Sequence, residues 1–470
     1  MPMDSKAVAS FVNKVWDESI IPALVDYIAI PAKSPLFDPD WEANGHIEAA
    51  VQLIARWCED RDIAGLQMEI IRLPGCTPLI YMEIPGDSDD TVLMYGHLDK
   101  QPEMRGWRKG LSPWKPVIEG DKLYGRGGAD DGYAAFASLT AVEALQKHGG
   151  HHQRVVVLIE ACEESGSPDL PHYIDHLSGR IGQVSLVICL DSGAGDYDRL
   201  WSTTSLRGMV SGDLRVDVLT QGIHSGDGSG IVPSSFRVIR QLLERIEAAD
   251  TGEVLLPEFH VEIPQQRRDQ AVVVADILGN EVRDCYPFVE GVSAMHEELP
   301  ELVLNRTWRP TISYTGSGGL PELGDAGNVL RPFSALKLSF RLPPTADSER
   351  ASDAVQKVLE ESPPSGATVR FIAEKGADGW NAPPLADWLG RSLEEASQKY
   401  FGNPPAYMGE GGTIPFMGML GEKFPEAQFV ITGVLGPASN AHGPNEFLHI
   451  PCGKKLTSCV VHVLQSHAER

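Results

Sequence analysis

The chain is short of basic side chains: 40 Lys and Arg stand against 65 Asp and Glu, a formal net charge of −25 over 470 residues. That deficit argues against nucleic acid or an anionic membrane as a partner. Cysteine is sparse and unpatterned. There are seven, an odd number, with no C-x-x-C pair, so no disulfide framework is expected and a reducing compartment is. No apolar run reaches the length of a membrane span, and the opening MPMDSKAVASFVNKVW lacks a signal-type apolar core. These absences lead to the expectation of a cytoplasmic protein. There is no G-x-S-x-G elbow, so Ser225 has no indicated base and a serine hydrolase is disfavoured. GRGGAD and TGSGG are glycine-rich, but neither is a P-loop or a dinucleotide fingerprint.

What is present is a normal globular composition, 42 % apolar and 22 % charged, at a length that suggests two or three domains. TVLMYGH, RVVVLIEAC and VSLVICLD read as buried strands, and DDGYAAFASLTAVEALQKHGG as a helix closed by glycines. Buried strands alternating with helices predict an α/β domain whose mostly parallel sheet is covered by helices. The pattern changes near Gly208. GDLRVDVL and ALKLSFRL alternate apolar with polar residues, as half-exposed strands do, and each precedes a helix, over 234–249 and 347–361. A smaller α+β domain with one open sheet face is expected there. Buried patterning returns after Gly379. The expected organisation is a first domain over 1–207 and 379–470, interrupted by an inserted lid domain over 208–378. The stretch 253–327 is rich in Pro and Gly and yields no assignment.

Chemistry gathers at the predicted strand ends. VVLIEACEESG runs from apolar residues into adjacent carboxylates, Glu163 and Glu164. Burying one unpaired carboxylate is already costly. YGHLDK ends on His97 with Asp99 two residues on, GRGGADD carries Asp130 and Asp131, CLDSG ends on Asp191, and SNAHGPNE offers His442. Any one of these alone is more often a cap or a hydrogen-bonded turn residue. Ligands in α/β sheets collect at the carboxyl ends of strands. Imidazole and carboxylate groups converging on one sheet edge would repel or go unsatisfied without a cation. A donor set of His and carboxylate with no thiolate fits zinc, with manganese or cobalt as alternatives.

In this order, YGHLDKQP, LYGRGGADD, EACEESGS, CLDSG and AHGPNE resemble the di-zinc exopeptidase family of carnosinase, cytosolic dipeptidase, aminoacylase and glutamate carboxypeptidase. GIHSGDGSG, RPTISYTGSGG, SFRLPP and EGGTIP are most similar to its carnosinase-like branch. The resemblance implies two Zn²⁺ per subunit, with Asp130 bridging them, His97 and Asp191 on one, and Glu164 and His442 on the other. It implies that Asp99 orients His97 and that Glu163 is the general base for a metal-bridging hydroxide. His224, from the lid, would act on the oxyanion in a partner subunit's site. Arg341, Thr413 and Gly412 would grip a substrate carboxylate, and Asn328 would help hold the reacting carbonyl. The implied activity is hydrolysis of small dipeptides with a free carboxylate, by a homodimer joined through the lid. The alternatives are an aminoacylase-like amidase or carboxypeptidase acting on N-acyl amino acids, or a metal-binding protein on the same fold. The chain departs from the family pattern at Gly132 and Tyr133 (commonly Lys-Gly), at Gly409 and at Lys375, none of them a proposed ligand.

Overall fold

The computed structural model describes residues 4–470. It contains two compact units. One comprises the chain up to Thr204, Ala382–Tyr407 and Met419–Arg470; the other comprises Ser205–Asn381 and Met408–Gly418. The breaks fall at 204/205 and 381/382, against the expected 207/208 and 378/379. The segment Met408–Gly418, expected with the first domain, groups with the second unit. Local hydrogen bonding accounts for this: Arg207 N donates to Gly412 O at 3.1 Å and Arg207 Nε to Gly411 O at 3.1 Å.

The first unit is built on a six-stranded sheet. Its order is Gln67–Ile71, Leu79–Ile84, Arg154–Glu160, Thr91–His97, Val184–Cys189, Gln428–Ile431. The last four strands run parallel, and an antiparallel hairpin completes one edge. Thr91–His97 is buried at every residue, as its continuous apolar run requires in a sheet covered on both faces. Against it packs the helix Tyr133–Lys147, buried from Tyr133 to Leu145. Its alanines allow close approach, and so does the strand: a Cβ on Gly96 would lie 2.5 Å from Ala134 Cβ. The closing helix Ile450–Ala468 packs on this helix in turn. Asp4 caps the first helix, Ser5–Val15, by accepting from Lys6 N and Ala7 N.

The second unit carries a four-stranded antiparallel sheet in the order Thr311–Gly318, Phe333–Leu342, Gly208–Asp217, Thr368–Ala373. Helices Ser235–Leu243 and Ser348–Glu360 cover one face, with Val210, Leu214, Leu338 and Phe340 fully buried beneath them. The first of these helices stops at Leu243, six residues before the expected end. The backbone beyond is taken by a tight antiparallel turn, in which Leu255 N donates to Ile246 O and Ala248 N to Glu253 O. The unassigned stretch 253–327 forms helices Gln265–Leu278 and Leu299–Thr307 and the edge strand Thr311–Gly318. Among the described residues, no helix is long and apolar enough to cross a membrane, and all seven cysteines are free.

Candidate metal centre

Thr91–His97 lies between Arg154–Glu160 and Val184–Cys189 and is parallel to both. The carboxyl ends of these strands therefore open on one side. His97 ends the first. The second runs through Cys162 into a tight helical turn, Glu163–Ser165, and Asp191 follows the third by two residues. Asp130 sits in the turn Gly128–Gly132 that feeds the helix Tyr133–Lys147. His442 lies in the loop after Gln428–Ile431.

These residues converge. His97 Nε2 is 3.2 Å from Asp130 Oδ1 and 3.7 Å from Asp191 Oδ2. His442 Nε2 is 3.0 Å from Asp130 Oδ2 and 3.3 Å from Glu164 Oε2. The result is two groups, His97–Asp130–Asp191 and Asp130–Glu164–His442, each with its ligand atoms within 4.8 Å of one another. Asp130 faces both, one carboxylate oxygen to each. Glu163 stands beside them, with Oε2 3.9 Å from His97 Nε2.

The electrostatics fit divalent cations. Burial, then the charge of Asp191, pushes the Glu163 carboxyl well above its ordinary range; burial, then Asp130, does the same to Glu164. Burial raises Asp191 to about 6. Burial would raise Asp130 too, but hydrogen bonds from His442 and His97 pull it below the ordinary range. Four carboxylates in one buried cluster with two imidazoles are frustrated by themselves. Two cations bridged by Asp130 would relieve that, and every donor in the set is an oxygen or an imidazole nitrogen.

Asp99 touches the His97 ring that it is expected to orient, and its carboxylate has a second task. Its carbonyl oxygen, not its carboxylate, makes the closer contact with the ring: His97 Nδ1–H donates to Asp99 O at 3.1 Å, while Asp99 Oδ1 lies at 3.5 Å. That bond leaves Nε2 free to ligate. The carboxylate also accepts from Glu163 N at 3.1 Å and Glu164 N at 3.0 Å. It holds the turn that presents both glutamates, because their two N–H groups point back at the neighbouring strand end.

Several supporting residues lie inside the longer motifs and are not among the residues expected at the site. Gln101, within YGHLDKQP, donates to Glu164 Oε2 at 2.5 Å. The buried Arg126, within LYGRGGADD, pairs with buried Glu446 and donates to Gly443 O, while Glu446 Oε1 accepts from Gly127 N. This pair ties the His442 loop to the Asp130 turn. Glu160 accepts from Tyr95, Ser167 and Cys162 behind the turn Glu163–Ser165. In each case the signal was a charged or amide residue embedded in an apolar or glycine-rich motif.

The remaining candidates lie in the second unit. Arg341 Nη1 donates to Thr413 Oγ1 at 3.1 Å, so these two are together. Gly412 is exposed, and its carbonyl accepts from Arg207 N. The His224 side chain is 68 % exposed, on a short strand Ile223–His224 paired with Val329–Leu330. Asn328 is next to it, its carbonyl accepting from Ser225 N at 2.9 Å.

Residues 93–466 match the model of peptidase family M20/M25/M40. The chain belongs to this family. It is 25 % identical over 424 residues to the cysteinylglycine-S-conjugate dipeptidase of Corynebacterium striatum, covering 86 % of each chain. To the human Beta-Ala-His dipeptidase it is 26 % identical over 353 residues, 73 % of this chain and 69 % of that one. Among solved structures, that of the dipeptidase Dug1p from Saccharomyces cerevisiae superposes with a TM-score of 0.78 at 21 % identity, covering all of both chains. This last likeness establishes the fold: the mixed α/β architecture of M20 peptidases. Membership in this family, whose function is metal-dependent peptide hydrolysis, replaces the serine hydrolase and nucleotide-binding alternatives.

Proposed function

We propose that this M20 chain is a metal-dependent dipeptidase that hydrolyses small dipeptides with a free carboxylate. The observation that carries the reading is the pair of ligand groups sharing Asp130, with the Glu163 carboxylate beside them. His97, Asp130 and Asp191 would hold one divalent ion, and Asp130, Glu164 and His442 the other, with zinc the ion favoured by this donor set. When bound, such ions polarise a carbonyl and lower the pKa of water towards about 7. Glu163 takes one proton from the attacking water and delivers it to the leaving amine nitrogen as the amide C–N bond breaks. Asp99 keeps the carboxylates of Glu163 and Glu164 apart in role by fixing both backbone N–H groups of their turn. Arg341 is the anchor for the substrate carboxylate, supported by its lack of an ion-pair partner among the described residues. Gly412 and Asn328 complete the substrate contacts, Thr413 serves the same grip by holding the Arg341 guanidinium, and His224 donates to the developing oxyanion in a partner subunit.

In this reading the first unit is catalytic and the second is the lid through which a homodimer forms, the open edge strand Thr311–Gly318 offering unpaired backbone groups. The proposed compartment is the cytoplasm, consistent with seven free thiols. The test is a hydrolysis screen of free dipeptides, C-terminally amidated dipeptides and N-acyl amino acids, run with and without chelator. Cleavage confined to free dipeptides, abolished by chelation and restored by zinc, is expected. Preference for N-acyl amino acids would overturn the dipeptidase reading in favour of an amidase.

A further inference from the structure

In a protein of net charge −25, Arg207 lies within the repulsive field of two other cations, Arg341 and Arg306. Arg207 is only 8 % exposed, and burial followed by the charges of Arg341 and Arg306 makes its charged form costly. Neither Arg207 nor Arg341 has a carboxylate partner among the described residues. Such an arrangement persists only if its members are held by other bonds. Arg207 is: its Nε donates to Gly411 O, and its Nη1 reaches Asn305 O at 3.3 Å and Arg309 O at 3.4 Å. Its own backbone is tied to the same loop, N to Gly412 O at 3.1 Å and O to the Thr413 hydroxyl at 2.5 Å.

The Thr413 hydroxyl has one proton, and a carbonyl oxygen can only accept. That proton is therefore committed to Arg207 O, and Thr413 Oγ1 turns a lone pair to Arg341 Nη1. As placed, Thr413 cannot donate to a substrate carboxylate; it aims Arg341. We infer that Arg207 is a positioning residue for carboxylate selection: it clamps the loop Gly411–Thr413 by side chain and backbone, orients the Thr413 hydroxyl, and through it sets the guanidinium of Arg341 for a free carboxylate. This rests on the proposed role of Arg341. A bidentate guanidinium–carboxylate contact depends on the plane of the fork, so a loosened Arg341 loses its selectivity before it loses its charge.

The experiment measures kcat and KM for one dipeptide with a free C-terminus and for the same dipeptide amidated, in the parent and in Arg207→Lys, Arg207→Met, Thr413→Val and Thr413→Ser. Arg207→Lys keeps the charge but cannot span the carbonyls of Gly411 and Asn305. Thr413→Val removes the relay hydroxyl and leaves Arg207 intact, so a folding failure of Arg207→Met does not end the test. The expected result is a fall of roughly tenfold in the free-over-amidated ratio of kcat/KM for Arg207→Lys, Arg207→Met and Thr413→Val. The loss should sit in KM of the free dipeptide, and Thr413→Ser should keep the parent ratio. A parent enzyme that cleaves both substrates equally would overturn the Arg341 anchor itself. A selective parent whose Arg207 and Thr413→Val variants keep full selectivity, or lose both substrates alike, would overturn the positioning role while leaving the anchor standing.

Discussion

Glu163 and Glu164 are neighbours in sequence with the same side chain, yet their surroundings separate them. Glu164 faces His442 and Gln101; Glu163 faces His97 at the longer distance of 3.9 Å and makes no such ring contact with His442. Glu163→Gln keeps size and hydrogen bonding but removes the basic oxygen. A loss of about 10²–10⁴ in kcat is expected, with metal content unchanged; full turnover in this variant would remove Glu163 from the mechanism. Asp130 offers one oxygen to each imidazole. Asp130→Ala is therefore expected to lower occupancy of both ions, whereas His442→Ala empties one. Elemental analysis of the purified variants distinguishes the two patterns, and equal losses would show that Asp130 does not bridge.

Elements set these distances by how closely they pack. Gly132, a departure from the family pattern, has a steric reason in this chain: a Cβ there would lie 2.1 Å from the ring of Tyr27 and 2.7 Å from Gly127 O. Tyr27 cannot swing away freely, because it is fully buried and its hydroxyl donates to Leu98 O at 2.7 Å. Gly132→Ala is expected to cost about 1–3 kcal/mol, as overpacking does, and to displace the adjacent turn that carries Asp130. Thermal unfolding should show a lower Tm, and metal titration a weaker site. An unchanged Tm would mean that the helix Ile21–Ile28, which carries Tyr27, yields more easily than its burial implies. The turn Glu163–Ser165 depends on a neighbouring strand end in the same way. Asp99→Asn replaces one accepting oxygen with a donor facing a backbone N–H, and a loss of about 1–3 kcal/mol is expected.

For the whole molecule, the ions and the fold support each other. A buried cluster of four carboxylates is repulsive without cations, so metal removal is expected to lower Tm. At free metal a thousandfold above the dissociation constant, each site contributes about 4 kcal/mol, and restoring zinc should restore the transition. A Tm indifferent to chelator would mean that the cluster holds no cation of consequence. The proposed lid dimer makes a separate demand. Mixing inactive His224→Ala with inactive Glu163→Gln subunits is expected to recover partial activity if His224 serves the partner's site. Absence of recovery despite demonstrated subunit exchange would place His224 in its own chain's chemistry or outside it.

The mostly parallel sheet, the change of patterning near Gly208 and the metal-type residues at strand ends are legible in the chain alone. These are local: continuous apolar runs specify buried strands, alternation specifies half-exposed ones, and strand ends fall where the runs stop. The sequence also carries the family, because five motifs in fixed order are legible without coordinates. What each polar group is bonded to emerges from the folded chain. That the Asp99 carboxylate also holds a turn, that Met408–Gly418 joins the second unit and that Arg207 commits the Thr413 hydroxyl all depend on contacts between segments up to about two hundred residues apart, as from Arg207 to Thr413. No pattern of spacing encodes such contacts, since hydrogen bonds are directional over about 3 Å and their partners are chosen by packing.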